Sequence, residues 1–298
     1  MTLRRVDLDG KGAGSPEGLV TLILKAEPDL PIPVPIERIC RELDISEIRS
    51  LETAGYEGGL ITDTERSEGV ILVKNGHRFR QRFTIGHELG HFLIPTHMPD
   101  APGRFLCSRE DLQLLTAKDN DRRSKMEVEA NRFASLILMP PPELRKRLGK
   151  HPPDLQHLVK LAGEFEVSKQ AMSRAYAERH EQLVAIVGTQ HGKILWSYRD
   201  RFRFPFIQPR TGDQVPKGSF FHRGKHDLNV TSDFAECLPD NWIEVKRGER
   251  APELFEQIYR QHDGYALILL HLSQMDEEDE TEERDLRRSW HVGFRRRR

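Results

Sequence analysis

Cysteine is scarce in this chain: 298 residues carry three, at Cys40, Cys107 and Cys237. Their odd number and wide spacing exclude a disulfide framework and fit a reducing compartment. No run of about 20 apolar residues is present, which leaves no candidate membrane-spanning helix, and no apolar stretch near the start has the form of a secretory leader. The expected location is therefore cytoplasmic, with no membrane partner. An excess of one charge is also missing. With a formal net charge of -1, a nucleic-acid role has to rest on local patches and not on the overall field. Length and apolar content are what the chain does have: 37% hydrophobic residues over 298 positions suffice for two or three cores.

The pentapeptide His87-Glu88-Leu89-Gly90-His91 carries the strongest chemical signal. Two imidazoles four residues apart on a helix face the same way and can grip one metal ion, and the carboxylate beside them can take a proton from a water on that ion. The surroundings support a helix here. Gly69 to Val73 reads as a strand, Asn75-Gly76 as a turn, and residues from about His77 to Ile94 as a helix stopped by Pro95. Ile85, Leu89, Phe92 and Leu93 make one apolar face, which would hold the histidines rigidly against a core. The competing reading, a helix with incidental histidines, leaves Glu88 and the small Gly90 as coincidences.

A catalytic zinc site needs a third protein ligand and an open position. The segment from Ser124 to Pro140 is the best source, a helix whose stripe of Met126, Ala130, Phe133, Ala134, Ile137 and Leu138 faces a core. Glu127 lies within that stripe and Glu129 at its edge. A carboxylate facing a core needs a partner, which zinc would supply. The alternative is a capping box, with Ser124 as N-cap and Glu127 reaching back to it. Glu127 is preferred as ligand, with Glu129 in reserve, and Asn131 one turn on could orient a ligand by a hydrogen bond.

Taken together, Arg82 to His91, Glu127 to Ala134 and Leu138-Met139-Pro140 resemble the ImmA/IrrE family of bacterial metallopeptidases, and Pro33 to Cys40 resembles that family's first helix. The resemblance spans roughly residues 30 to 180, and the two motifs in tandem are far more specific than either alone. It implies a gluzincin-like α+β fold, supports Glu127 as the third ligand, and implies a narrow substrate: a helix-turn-helix repressor, cut to release stress-response or phage-related genes.

Cys107 falls in a polar stretch between the two helices. It reads either as a small buried hydrophobe between Leu106 and Leu112 or as an inhibitory fourth ligand, a thiolate swung on a loop onto the open coordination position. His97, His222, His226 and His262 read as ordinary surface histidines.

Residues 1–16 read as a flexible N-terminus and 17–150 as the metallopeptidase domain. Over 151–181, Leu155, Leu158, Leu161, Ala162 and Phe165 form one helical face, Val167-Ser168 a turn with Ser168 as N-cap, and Ala171, Met172 and Ala175 the next helix. The spacing resembles a helix-turn-helix, in which Lys169, Gln170, Ser173 and Arg174 would face a major groove. No dense basic face accompanies it, so a docking unit is preferred. Residues 182–275 read as an antiparallel α/β module: strands at 183–187 and 194–198, a helix at 252–261, and a central strand at 265–270. The family resemblance implies a GAF-like sensory domain in this place. Arg201-Phe202-Arg203-Phe204 reads as an edge strand with solvated arginines, or as a surface for a polyanion. The tail, 276–298, passes from acidic to basic. Its Arg287, Arg288, Trp290, Phe294, Arg295 and Arg296 combine phosphate-pairing with base-stacking groups, which makes single-stranded DNA a candidate activator.

The expectation is a zinc endopeptidase in which His87, His91 and Glu127 hold the ion and Glu88 activates water. The alternatives are a DNA-binding regulator, or a sensor or antitoxin-like protein that sequesters its repressor without cutting it.

Overall fold

The computed structural model describes residues 8, 14–99, 103–149, 151–245 and 251–273. Their contacts form two compact units, one from residues 1–148 with 159–172, the other from 149–158 with 173–298. The six tail residues expected to touch nucleic acid lie outside the described residues.

In the first unit, strands β1 (Ile45–Ser50), β2 (Gly58–Thr62), β3 (Gly69–Val73) and β4 (Arg104–Cys107) form a sheet in the order β1-β3-β2-β4. β1 runs parallel to β3, and the other pairs are antiparallel. The hairpin between β2 and β3 turns on Asp63, whose carboxylate accepts from the Ser67 amide at 2.7 Å, and on Arg66 in the left-handed region.

Helix α1 (Pro16–Ala26) starts with Ser15 accepting from the Gly18 amide and Pro16 at the first position, where a missing N–H costs nothing. The short α2 (Ile36–Glu42) follows, and then α3 (Arg78–Leu93), close to the span expected. Ile85, Leu89 and Phe92 are buried, as are Leu60 and Ile71 of the sheet, and α3 packs on β2 and β3 as well as on α4 (Arg122–Leu138). The start of α4 differs from expectation. Asp121 is the N-cap and accepts from the Ser124 amide at 3.2 Å. Ser124 is inside the helix, so Glu127 belongs to no capping box with it.

Gly90 sits where α3 meets α4. A Cβ there would come within 3.2–3.3 Å of Phe133 and Ala130. The small residue thus sets the closeness of the two helices.

After α5 (Pro141–Leu148), helices α6 (Leu155–Glu164) and α7 (Lys169–Arg179) flank a turn capped as expected, with Ser168 Oγ accepting from the Ala171 amide. The imagined groove-facing set does not form an open basic face: Ser173 is fully buried and Arg174 pairs with Glu178 at 2.8 Å.

The second unit holds an antiparallel sheet in the order β6-β5-β9-β8-β7, from β5 (Leu183–Gln190), β6 (Lys193–Arg199), β7 (Ala235–Cys237), β8 (Leu254–Arg260) and β9 (Tyr265–Leu272). β9 is central, as its unbroken apolar run requires. The helix expected at 252–261 is instead strand β8. Glu256 and Gln257, which resemble an exposed helical face, are buried with partners of their own. Glu256 accepts from Trp242 Nε1 at 2.7 Å, Ser219 Oγ at 2.5 Å and the Phe220 amide at 2.8 Å. Gln257 accepts from the Leu155 amide and donates to Asp154. Such tertiary satisfaction overrides local propensity.

Arg201 to Phe204 is likewise a turn and not an edge strand. Phe204 is buried while Phe202 is fully exposed, and the Arg203 guanidinium donates to the carbonyls of His180 and Glu181.

Removing the Glu256 carboxylate would strand an indole N–H, a hydroxyl and an amide in the core. Glu256→Ala is expected to cost about 3 kcal/mol, read as a lower urea midpoint in the tryptophan-fluorescence transition; an unchanged midpoint would contradict this role.

Candidate metal centre

The helical period places His87 and His91 one turn apart on α3, both fully buried. Their Nε2 atoms are 3.0 Å apart. Glu127 comes in from α4, with Oε2 at 3.1 Å from His87 Nε2 and 3.3 Å from His91 Nε2. Cys107 completes the group from β4, with Sγ 3.3 Å from His87 Nε2 and 3.6 Å from His91 Nε2. The four donor atoms all lie within 4.8 Å of one another, in a set that could hold a metal ion.

Neighbouring hydrogen bonds leave both Nε2 atoms free to donate electron pairs. His87 Nδ1 is 2.8 Å from Asn131 Oδ1. The Asn131 amide group donates to the carbonyls of Asp111 and Leu114 at 2.7 and 3.0 Å, which fixes its orientation. Its oxygen must therefore accept from His87 Nδ1–H. On the other ring, His91 Nδ1 is 2.9 Å from His97 Nδ1, and His97 Nε2 is 3.1 Å from Glu129 Oε2. The Glu129 carboxylate can only accept, so a neutral His97 donates from Nε2 and accepts at Nδ1 from His91 Nδ1–H. Two bare nitrogens facing each other at 3.0 Å, beside a carboxylate oxygen, repel unless a cation lies between them.

The edge lengths agree with that conclusion. A tetrahedral ion with nitrogen and oxygen ligands at about 2.0–2.2 Å and sulfur at about 2.3 Å would set its donors roughly 3.3–3.6 Å apart. The separations among the two imidazoles and Glu127, and from Cys107 to each imidazole, are 3.0–3.6 Å and close to this, while the group as a whole spans up to 4.8 Å.

Electrostatics give the same picture. Burial would raise the Glu127 carboxyl, but its hydrogen bonds with His87 and His91 hold it well below the usual carboxylate range. Burial pushes His91 down to about 4 and His97 down to about 2. On His87, burial acts to lower it, but the hydrogen bonds to Glu127 and Asn131 and the charges of Glu88 and Glu127 together raise it, so a proton can take the cation's place. Burial also lifts the Cys107 thiol well above its ordinary value, helped by the charges of Glu88 and Glu127.

Glu88 is fully buried; no nitrogen or oxygen donor meets its carboxylate, and the neighbouring Cys107 thiol acts on it as a weak hydrogen-bond donor. Burial raises it to about 7. Gly58 on β2 makes room for it, since a Cβ there would collide with Glu88 and Thr84.

Two features of the site depart from the sequence reading. His97 is no surface histidine: it is fully buried behind His91. Arg66 secures its segment by donating to the carbonyls of Ile94 at 2.7 Å and of His97, capping the end of α3. Pro95 was the available signal, because a chain turned back at that proline passes the helix end with His97 facing it. Cys107, in turn, lies on a strand and not on a swinging loop, paired in register with Gly58. Glu129 touches His97 and takes no place in the donor set. His222 and His262 are exposed and His226 half-buried, all remote in sequence in the second unit.

An α+β unit with a buried His-His-Glu-Cys group and an acid beside it has the constitution of a metal-binding domain. Residues 42–176, which contain every one of these side chains, match the family Peptidase_M78, described as the IrrE N-terminal-like domain. No curated protein matches the chain. Among solved structures, a "Mycobacterium tuberculosis transcriptional regulator" shares 14% identity, with a TM-score of 0.48, over 89% of this chain and 92% of that one.

Because the ion competes with a proton, metal uptake should release protons and weaken as pH falls. His97→Ala is expected to weaken zinc binding about 10- to 100-fold in chelator competition, and an unchanged affinity would remove His97 from the support of His91.

Proposed function

We propose that the chain is a zinc-dependent endopeptidase that cuts a helix-turn-helix transcriptional repressor at one site and so derepresses a stress-response or phage-defence operon. The observation that carries the reading is Glu88. A buried carboxylate met by no nitrogen or oxygen donor costs several kcal/mol, and its place beside the donor set suits a base that meets its partner only during the reaction.

In this reading His87 Nε2, His91 Nε2 and Glu127 Oε2 bind the ion; imidazole and carboxylate donors with a thiol beside them suit zinc. A bound zinc would supply the polarisation of a peptide carbonyl and of a water. Glu88 takes up a proton on its carboxylate and passes it to the leaving amide nitrogen, and a value near 7 suits both halves of that task. Asn131 orients His87, and the Glu129–His97 pair orients His91. A donor set and a base cannot read sequence, so selection of the repressor falls to surfaces outside the centre. The second unit has candidate surface in its exposed Phe202, Phe206, Leu228, Val230 and Leu238, and a GAF-like sensory role is assigned to it. The tail's arginines and aromatics make single-stranded DNA the proposed trigger. The reaction is placed in the cytosol, which suits three buried free cysteines; among the described residues no helix is long and apolar enough to cross a membrane.

A second reading is favoured by one observation, the fourth donor. Structural zinc sites are closed by four protein ligands, and a regulator that binds its repressor without cutting it would need no more.

Glu88→Gln separates the two. The purified protein is incubated with a helix-turn-helix repressor encoded beside it, with and without single-stranded DNA. The variant should lose cleavage by about 100-fold or more while keeping its metal and its grip on the repressor. Equal cleavage by parent and variant would contradict the mechanism, and equal binding with no cleavage by either would favour the second reading.

A further inference from the structure

We propose that Cys107 is the fourth metal ligand at rest, so that the centre is closed until β4 withdraws the thiolate. The inference rests on the reading of this site as a metal centre and adds its mode of control.

The first support is geometric. Cys107 Sγ stands 3.3 and 3.6 Å from the two Nε2 atoms, and a tetrahedral site with nitrogen at about 2.05 Å and sulfur at about 2.3 Å requires roughly 3.55 Å. A cysteine merely filling core space has no reason to meet both imidazoles at such a length.

The second support is the strand. In β4 burial alternates, with Phe105 and Cys107 inside and Arg104 and Leu106 outside, so strand period aims both inner side chains at the histidines. Phe105 stacks on His91 with centroids 4.9 Å apart. The backbone is held in place too: the Cys107 carbonyl accepts from the Glu57 amide at 2.9 Å. The thiol is therefore delivered to the site by the resting fold, with no loop movement required.

The third support is Glu88, fully buried beside the thiol, with no nitrogen or oxygen donor to meet it. A general base beside a closed site has nothing to act on until the thiolate leaves. Closure and an idle base are two aspects of one latent state.

β4 is suited to release. Among the described residues it pairs with β2 alone, over four register positions, so its withdrawal breaks one ladder and leaves the other three strands paired. On binding, Cys107 gives its thiol proton to solvent and Sγ donates an electron pair to the ion. On opening, that bond breaks and the thiolate recovers a proton from solvent. No oxidant or reductant is involved.

The test uses the full chain loaded with cobalt(II), which reports thiolate ligation by charge-transfer absorption in the near ultraviolet. The parent protein should show this band. Cys107→Ser and Cys107→Ala should lose it while still taking up cobalt, with affinity weaker by at least about tenfold. Cys107→Ala should also cleave repressor faster than the parent when no trigger is present. Cobalt uptake by the parent without the band would overturn the proposal and leave the metal centre standing, and so would a band that survives in Cys107→Ser, which would place the ligating sulfur at Cys40 or Cys237. A parent that binds no cobalt at all would remove the metal centre itself, and this proposal with it.

Discussion

The close approach of α3 to α4 is the constraint on which the centre depends. His87 and His91 come from one helix and Glu127 from the other, and their donors meet at 3.1 and 3.3 Å where Gly90 lets the two backbones come close. Ile85, Leu89 and Phe92 anchor α3 on the sheet, at roughly 1.5–3 kcal/mol each. That gain has to offset the burial of two imidazoles and two carboxylates, any of which would cost several kcal/mol if left unpaired. Apolar packing and an ion's charge therefore solve one problem between them: the core fixes the donors, and the cation relieves them.

The shell behind the donors explains why both imidazoles offer the same nitrogen. Asn131 is oriented by two backbone carbonyls and then fixes His87; Glu129 fixes His97, which fixes His91. Both chains of hydrogen bonds start from an unambiguous group, an amide locked by carbonyls in one case and a carboxylate in the other. Neither ring has freedom to present the wrong tautomer while that shell is intact. Arg66 extends the same logic to the backbone by tying the end of α3 to the segment that carries His97.

Much of this was readable in the chain because it rests on periodicity. The two histidines, the apolar face of α3, the inward turn of Glu127 and the central strand β9 follow from spacings of 3.6 and 2. The features that escaped depend on contacts far apart in sequence. Glu256 and Gln257 look like a helical surface until Trp242, Ser219 and Asp154 arrive to satisfy them. His97 looks exposed until α4 brings Glu129 to it. Cys107 reads as a loop residue from sequence, because a four-residue strand has too little alternation to announce itself without its partner β2. At the start of α4 the error was one of local chemistry: Asp121 and Ser124 are both good caps, and three residues separate the two choices.

The claim at the centre of the account is that side chains from two helices and one strand converge on a single ion. X-ray absorption at the zinc edge of the loaded protein tests it most directly. The account predicts a shell of nitrogen and oxygen at about 2.0–2.2 Å with outer-shell scattering from two imidazoles, and one sulfur at about 2.3 Å. A zinc surrounded by oxygen alone, with no imidazole scattering, would contradict it.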